Sequence, residues 1–498
     1  MQNKAVTYAF LIIGLTGFTL AGLNWSIGIA GWIAPVFLLY FTRNSKWSGF
    51  VPFYLGMAVS AALSRTAENL SGLFIIYITT GLSHGVVNSL PYVIDKLLVK
   101  REKEFYNTLI FPSSVVVIEY LLSLILGIWG NSSVAQYNHL NFIQITSLFG
   151  IFGISFLIAW LASLVNWFIS RGFEKKSLIW GCSMYGAVIM VVLMYGTIRT
   201  HMFLPQSGTV RVAAIVGDAD IHEIFMRYEA EILEYSKNGQ LRIPEDIYSS
   251  EAAISSQCNK TMEAIQHGAS IVVWNEISLI LKHSQQDSLF LQLKNLCREN
   301  KAYVLAAYLE RDTGTRPKPF NNKSVLFTPD GDIAWEYLKA FPNPLEKLII
   351  NRGEAVIPFV DSEYGRIGNV LCADLDIARY MAQAGRNRID IVLVPAYDWE
   401  AITPYHSNMA AFTAIQTGTS VVRANGKGIV AFYDFQGNAL ASMNTFVDGS
   451  KIVYGELPIQ ATTTLSTIIG DALVYICILF LLIAVGLRVV KKINHASN

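Results

Sequence analysis

Long apolar runs at the two ends of the chain constrain the fold more than any other feature of the sequence. They fill most of the first two hundred residues and of the last thirty, whereas the stretch between them is mixed in character. Of the 498 residues, 52% are hydrophobic and only 15% are charged, while soluble proteins contain about 25% charged residues. We therefore expect a membrane part that surrounds a soluble part.

Eight segments are apolar enough to be predicted as membrane-spanning helices, which need about 20 residues each. They are Ala5–Leu23, Ile27–Thr42, Phe50–Ser64, Leu70–Ile94, Thr108–Trp129, Phe142–Ser170, Leu178–Thr197 and Ser466–Leu487. The second and third are short and are expected to be tilted or partly re-entrant. The first has no small-residue cleavage site after it, so we interpret it as an uncleaved helix rather than a signal peptide.

Basic residues predict the orientation of these segments. Lysine and arginine occur at the N-terminus and on alternate connections, whereas the short intervening loops at 65–69 and 130–141 contain only Arg65. With eight spans, the positive-inside rule places both termini in the cytoplasm and residues 198–465 on the outer face. The predicted domains are a seven-helix transmembrane domain (1–199), an extracytoplasmic domain (200–465) and a C-terminal transmembrane helix with a cytoplasmic tail (466–498).

Two ionisable residues, Glu119 and His84, lie within the predicted spans. Such groups are rare at membrane depth and face protein or water. Glu119 is interpreted either as a polar lining where a lipid head group enters or as part of an interhelical hydrogen bond. For His84 the hydrogen bond is the favoured interpretation.

Net charge and cysteine usage narrow the range of partners. The formal net charge is +1, so the whole-chain charge balance predicts no nucleic-acid partner. The five cysteines are an odd number without disulfide or metal spacing. We therefore expect no disulfide framework, and a free thiol is plausible.

The soluble part mixes helix-linked strands with hairpins, which predicts a two-sheet α/β sandwich with helices outside. Strands are predicted at 210–216, 270–274, 302–309, 324–327, 333–338, 367–371, 389–395, 420–424, 428–433 and 439–442. Helices are predicted at 250–267, 289–300, 377–384 and 404–416. Pro329-Asp330-Gly331 and Gln436-Gly437-Asn438 have the composition of hairpin turns.

One β-prone run of the soluble part ends at Cys372, with Asp374, Asp376 and a helix-like stretch at 377–384 directly after it. A strand that ends at a cysteine and turns into a helix presents a thiol on a fixed backbone, near amides that stabilise an anion. Free cysteine is also among the most buried residue types, so the alternative is an inert hydrophobic side chain. Partners for Cys372 decide between the two interpretations.

Two other strands end on chemically useful side chains: Glu276 follows the run 269–275, and Lys339 follows the run 333–338. A thiol with an ordinary pKa of about 8.5 is mostly protonated at neutral pH and needs a base, which Glu276 can supply. Lys339 can lower the thiol pKa and stabilise the oxyanion of a tetrahedral intermediate. The alternative is a Glu–Lys ion pair near an unrelated Cys372.

The segments Trp274-Asn-Glu276, Tyr337-Leu-Lys339 and Leu371-Cys372 resemble, in order and context, the Glu-Lys-Cys triad of the nitrilase, or carbon-nitrogen hydrolase, superfamily. With the predicted membrane spans, nearly the whole chain resembles its membrane-embedded branch, the apolipoprotein N-acyltransferase family. Further local matches are Val216-Gly-Asp218, Tyr405-His406 and Arg423-Ala-Asn425-Gly426.

The resemblance implies an α+β membrane protein, with an eight-helix transmembrane bundle and a nitrilase-type αββα sandwich. It implies catalysis by Glu276, Lys339 and Cys372, with Glu346 and Asp374 in support, and no cofactor or metal. The implied reaction is ping-pong. An acyl chain passes from a phospholipid to a Cys thioester, and then to the N-terminal amine of a diacylglyceryl-cysteine lipoprotein. The implied protein is a multi-pass protein of the bacterial inner membrane, and we expect a monomer.

Departures from the family pattern leave other interpretations open. Ala373 and Asp374 stand where the family usually has an aromatic residue and Glu, and Phe341 stands where it commonly has His. The lid-like region Ile221–Ser249 lacks a tryptophan. A membrane-anchored amidase, an acyltransferase with another acceptor and a non-catalytic lipid- or protein-binding descendant are the alternatives. His406 is interpreted as structural, because nothing in the triad requires it.

Overall fold

The chain divides into two compact units. The computed structural model describes residues 4–496, apart from residues 24, 66–73, 100–103, 204, 206, 219–244, 313, 315 and 345. A helical unit comprises Met1–Leu204 and Ile468–Asn498, and a sandwich unit comprises Pro205–Thr467. Each unit contains its own cluster of buried apolar side chains.

Helices account for almost all of the regular structure in the described part of the helical unit. In chain order they are α1 (Lys4–Ala21), α2 (Gly28–Asn44), α3 (Phe50–Leu63), α4 (Phe74–Leu98), α5 (Ile110–Leu126), α6 (Leu140–Ile143), α7 (Thr146–Phe149), α8 (Phe152–Ser170), α9 (Lys175–Met202) and a C-terminal helix (Ala472–Ala496). Single 3₁₀ turns cover Trp47–Gly49, Phe105–Leu109 and Ser132–Gln136.

Five helical segments of the described residues are long and apolar enough to cross a membrane. They are Lys4–Ala21, Phe105–Leu126, Phe152–Ser170, Lys175–Met202 and Ala472–Val490. Helices α2 and α3 have only 17 and 14 residues, and the first four residues of the predicted fourth span lie outside the described residues. The count of eight spans therefore stays a prediction.

Two of the predicted spans are divided into shorter helices, with a glycine at a break in each. The predicted segment Phe142–Ser170 is divided into α6, α7 and α8, because Gly150 adopts a left-handed φ of 65° and ends α7. The predicted span Ser466–Leu487 is also divided: a short helix (Leu465–Ile469) ends before Gly470, which has a φ of 58°, and the C-terminal helix begins at Ala472. A residue in this conformation ends a helix, and glycine adopts it at little cost.

The two ionisable residues of the predicted spans, Glu119 and His84, contact polar side chains of the helical unit. Glu119 accepts hydrogen bonds from Asn131 Nδ2 (2.9 Å) and Ser132 Oγ (3.0 Å). Arg65 Nη2 lies 3.5 Å from His84 Nδ1. These contacts support the hydrogen-bonding interpretation of both ionisable residues.

Many large apolar side chains of this unit point outward. Ile12, Ile125, Met190 and Leu482 are each more than half exposed. Soluble monomers rarely expose contiguous apolar surface of this kind, whereas a bilayer covers it. The outward surface therefore supports membrane insertion.

The sandwich unit contains two mixed β-sheets. The first has the strand order β13-β1-β2-β4-β5-β6, with β3 paired to β4, and the second has the order β12-β11-β10-β9-β8-β7. The strands are β1 (Thr209–Ile215), β2 (Ile271–Trp274), β3 (Ile280–Leu281), β4 (Tyr303–Arg311), β5 (Phe320–Phe327), β6 (Ile333–Leu338), β7 (Phe359–Ser362), β8 (Gly365–Asn369), β9 (Ile391–Ala396), β10 (Ser420–Asn425), β11 (Ile429–Tyr433), β12 (Ala439–Asn444) and β13 (Ile452–Pro458).

Helices flank the sheets and complete the predicted sandwich. They are α10 (Glu251–Gln266), α11 (His283–Asn300), α12 (Glu346–Ile349), α13 (Ala378–Arg386) and α14 (Tyr405–Thr417). Side chains of α10 and α11 pack on one face of the first sheet, and α14 contacts β10 and β11 of the second. Apolar side chains of both sheets, including Val273 and Leu393, form the core between them.

The order of the sheets brings particular strand ends together. Strands β1, β2 and β4 are parallel, and β6 runs in the same direction because two antiparallel steps separate it from β4. The carboxyl ends of β2 and β6 therefore lie at one edge of the first sheet. In the second sheet β8, β9 and β10 are parallel. The antiparallel pairs β5–β6 and β11–β12 confirm both predicted hairpins.

Candidate active site

Cys372 lies on a tight turn that follows β8. The strand ends at Asn369, and Cys372 opens a 3₁₀ turn (Cys372–Asp376) that leads to α13. Its φ of 46° lies in the left-handed region, which residues other than glycine adopt rarely and at a cost in free energy. Cys372 is 6% exposed, so the strained turn holds a nearly buried sulfur.

Lys339 joins the two predicted glutamates in a buried chain of ion pairs. Its Nζ atom lies 2.7 Å from Glu276 Oε1 and 2.7 Å from Glu346 Oε1. Asn322, which the sequence did not single out, donates from Nδ2 to Glu276 Oε1 at 2.8 Å. All four of these side chains are buried. The structure thus brings Glu276, Lys339 and Glu346 into direct contact.

Burial and charge set the protonation of this group. Burial lowers the pKa of Lys339, but Glu276 and Glu346 raise it well above its usual value, so the ammonium stays charged. Burial and Glu276 raise the pKa of Cys372, while Lys339 and Arg423 oppose the rise. The resting sulfur is therefore a protonated thiol that needs a base, and Glu276 is the carboxylate with the largest influence on it.

Asp374 ties the turn of Cys372 to the turn of Lys339. Its carboxylate accepts hydrogen bonds from Phe341 N (2.6 Å), Leu371 N (3.1 Å) and the Tyr337 hydroxyl (2.7 Å). Burial raises the pKa of Asp374 to about 6, although Lys339 and these donors oppose the rise. The side chain joins two loops and holds the geometry of the site.

Replacing Asp374 by alanine is expected to destabilise the protein. The change leaves buried donors of Leu371, Phe341 and Tyr337 unpaired, and each unpaired group costs about 1–3 kcal/mol. We expect a loss of at least about 2 kcal/mol in the free energy of unfolding, measured by thermal unfolding in detergent.

The matched control is Asp361→Ala, because the Asp361 side chain is 77% exposed in its ion pair with Arg366. An exposed pair contributes little stability. Equal melting temperatures for the two variants would contradict the tying role of Asp374.

A second buried group of charges lies beside Cys372. His406 Nδ1 is 2.7 Å from Asp398 Oδ1, and its Nε2 is 3.0 Å from Asp376 Oδ2. Arg423 Nη2 is also 2.7 Å from Asp398 Oδ1. Donor atoms of Cys372, Asp398 and His406 all lie within 4.8 Å of one another. His406, interpreted from sequence as structural, is therefore close to the proposed nucleophile.

The charges in this second group favour ion pairs over a bound metal ion. Cys, Asp and His are all metal-ligand types. The Arg423 guanidinium, however, lies 2.7 Å from Asp398 Oδ1 and 2.9 Å from His406 Nδ1, where its positive charge repels a cation. Burial and Arg423 lower the pKa of His406, but Asp398 and Asp376 raise it to about 9. A charged imidazolium does not bind a metal.

Two family models match the chain. The carbon-nitrogen hydrolase model matches residues 231–466, and the model of the apolipoprotein N-acyltransferase N-terminal domain matches residues 14–164. The chain is 26% identical to an apolipoprotein N-acyltransferase of Geobacter metallireducens, over 98% of this chain and 96% of that protein. The chain belongs to the apolipoprotein N-acyltransferase family. It is a divergent member, 22% identical to apolipoprotein N-acyltransferase 1 of Treponema denticola over 100% of both chains.

Among solved structures, an amidase from Nesterenkonia sp. is similar to the C-terminal part. The match has a TM-score of 0.40 and 15% sequence identity, and it covers 51% of this chain and 92% of the amidase. The match to the carbon-nitrogen hydrolase family model supports a nitrilase-type fold for this part of the chain.

The departures from the family pattern have a local structural context. The ring of Phe341 packs at 5.2 Å from Tyr380, and the Arg352 guanidinium lies 5.1 Å above it. These three side chains form a cluster next to the Lys339 turn. Most of the predicted lid, residues 221–244, lies outside the described residues.

Proposed function

We propose that this protein is a membrane-bound N-acyltransferase. It moves an acyl chain from a phospholipid, through a thioester on Cys372, to the N-terminal amine of a diacylglyceryl-cysteine lipoprotein. One observation carries the proposal: Glu276 and Lys339, in the buried chain of ion pairs with Glu346, both act electrostatically on the Cys372 thiol. The family's named activity supports the substrate classes.

The first half-reaction forms the acyl-enzyme. Glu276 takes the proton from Cys372 Sγ as the sulfur attacks the ester carbonyl carbon of the phospholipid. The Lys339 ammonium stabilises the oxyanion of the tetrahedral intermediate. When the C–O bond breaks, Glu276 returns the proton to the departing glycerol oxygen, and a lysophospholipid leaves.

The second half-reaction reverses these roles. The α-amine of the acceptor attacks the thioester carbonyl and gives its proton to Glu276. The C–S bond then breaks, the sulfur regains a proton from Glu276, and the acyl chain becomes an amide. Glu346 holds Lys339 in place during both halves, through its 2.7 Å contact with Nζ.

The topology is part of the proposal. Eight spans place both termini in the cytoplasm and residues 200–465 on the outer face of the inner membrane, and the protein acts as a monomer. The outward apolar surface of the helical unit and the five helices long enough to span support the membrane location in this proposal.

The acyl-enzyme is the direct test. Purified protein incubated with a phospholipid of known chains should gain the mass of one acyl group, which hydroxylamine removes. Cys372→Ala should gain none, because it lacks the nucleophile. The control is Cys297→Ala, another buried free cysteine, which should acylate normally. Absence of an adduct with several lipids, while Cys372 still reacts with a small thiol reagent, would contradict the lipid donor and favour an amidase.

A further inference from the structure

Arg423 is a fully buried arginine on an otherwise mostly apolar strand. It occupies β10 with 0% exposure, and Nη2 donates to Asp398 Oδ1 at 2.7 Å. Its Nε and Nη1 atoms have no hydrogen-bond partner among the described residues. Buried N–H groups are nearly always paired. These two donor atoms of a buried cation are therefore available to a negative charge that forms during function.

The neighbours of Arg423 hold it beside the sulfur. Asp398 receives its hydrogen bond, and His406 is held between Asp398 and Asp376. Asp376 belongs to the same 3₁₀ turn as Cys372. Cys372 Sγ lies within 4.8 Å of donor atoms on both Asp398 and His406. The cluster is therefore linked to Cys372 through the shared turn and also lies close to its sulfur.

Lys339 is not the only cation that acts on the thiol: Lys339 and Arg423 both lower the pKa of Cys372. Two carboxylates lie 2.7 Å from the Lys339 ammonium, and their negative charges oppose its effect. Arg423 forms an ion pair with one carboxylate, Asp398, and two of its nitrogen atoms, Nε and Nη1, have no hydrogen-bond partner among the described residues. The cations near the sulfur are therefore Lys339, the His406 imidazolium and Arg423. Arg423 has one directly paired carboxylate, whereas Lys339 has two.

We propose that Arg423 stabilises the thiolate of Cys372, and that Asp398 and His406 are positioning residues that hold its guanidinium in place. The proposal rests on the proposed function in that Cys372 is taken as the nucleophile. When Glu276 removes the thiol proton, the sulfur becomes negative. The uncompensated part of the Arg423 charge then lowers the energy of that state.

Charged groups from several elements act on this thiol and must enter any test. They are Glu276, Lys339, Asp376, Asp398, His406 and Arg423. Among them, Arg423 and Asp398 carry opposite charges and form an ion pair with each other. Replacing each by a neutral residue should therefore move the reactivity of Cys372 in opposite directions, whereas two purely structural disruptions have no reason to do so.

The experiment measures the alkylation of Cys372 by iodoacetamide as a function of pH, in the full-length protein in detergent. The peptide that carries Cys372 is quantified by mass spectrometry, which separates it from the other cysteines. We expect Arg423→Gln to shift the midpoint to higher pH by one unit or more, a loss of about tenfold in rate below the midpoint. Asp398→Asn should shift the midpoint to lower pH, and Arg423→Lys should restore most of the wild-type value.

Equal midpoints in wild type and Arg423→Gln, or shifts of both neutral variants in one direction, would overturn the proposal. If Arg423→Gln does not fold, Asp398→Asn still has a predicted shift to lower pH, and Arg423→Lys has a predicted midpoint close to that of the wild type. Acyl-enzyme formation is measured on the same samples. If the acyl-enzyme forms but the alkylation midpoints of the variants equal that of the wild type, only the role of Arg423 is contradicted. If the midpoints shift as expected but no acyl-enzyme forms, only the proposed reaction is contradicted.

Discussion

Glu276→Gln should slow acylation of Cys372 by about 10²–10⁴-fold, the usual contribution of a general base, while the protein folds normally. Glutamine keeps an oxygen that accepts from Asn322 Nδ2 and Lys339 Nζ, which lie 2.8 and 2.7 Å from Glu276 Oε1. It has no site for the thiol proton. Time-resolved mass spectrometry of the acyl-enzyme measures the rate.

The control for this variant is Glu336→Gln. Glu336 lies on β6, the strand that leads to Lys339, and pairs with Lys323 with 44% of its side chain exposed. The substitution removes the same charge from the same sheet without touching the site. A Glu276→Gln protein that acylates as fast as this control would exclude Glu276 as the base.

Lys339→Met should abolish acylation and also destabilise the fold. Two buried carboxylates, Glu276 and Glu346, lose their shared cation. Removing one partner of a buried ion pair costs about 3–5 kcal/mol. We expect this loss in the free energy of unfolding near pH 8, measured by thermal or denaturant unfolding in detergent.

The destabilisation by Lys339→Met should depend on pH with a definite sign. Burial already raises the pKa of Glu346, and Lys339 opposes the rise. Without Lys339 the pKa of Glu346 rises further above its value in the unfolded chain, so the folded protein favours the protonated carboxyl. The loss in the free energy of unfolding should therefore become smaller as the pH falls. Lys339→Met/Glu346→Gln should regain part of the stability but no acylation. A deficit that is constant between pH 5 and 8 would contradict this account.

The grouping of Glu276, Lys339 and Cys372 could be predicted from sequence because it depends on strand ends. Glu276, Lys339 and Cys372 each follow a β-prone run, and parallel strands bring their ends together. The run before Cys372 ends two residues earlier than expected, at Asn369, because the 3₁₀ turn begins at the cysteine. Patterns of apolar residues do not specify such turns.

The second charged group could not be assembled from sequence. His406, Asp398 and Asp376 come from three separate elements, and only the tertiary fold places them together. One signal was present: Arg423 interrupts a short strand whose preceding residues are Val421 and Val422. A charged residue in a buried strand indicates a buried partner, but the pattern does not say which one.

The boundaries of the membrane helices show a similar limit. Hydropathy reports where apolar residues are, and it merged α6, α7 and α8 into one span. The glycine at position 150 was visible, but glycine is common inside membrane helices. Its left-handed φ of 65° is a property of the folded chain.

The placement of Glu276 and Lys339 on one sheet and of Cys372 on the other has a consequence for tolerance to mutation. Glu276 and Lys339 follow strands of the first sheet, and Cys372 follows a strand of the second. The apolar layer between them, with Val273 on one side and Leu393 on the other, acts as a spacer. Protein interiors are packed so densely that a single methylene is felt. Residues that do not contact a substrate therefore help to set the distance between Glu276 and the sulfur of Cys372. Substitutions in this apolar layer should change activity without altering the site itself.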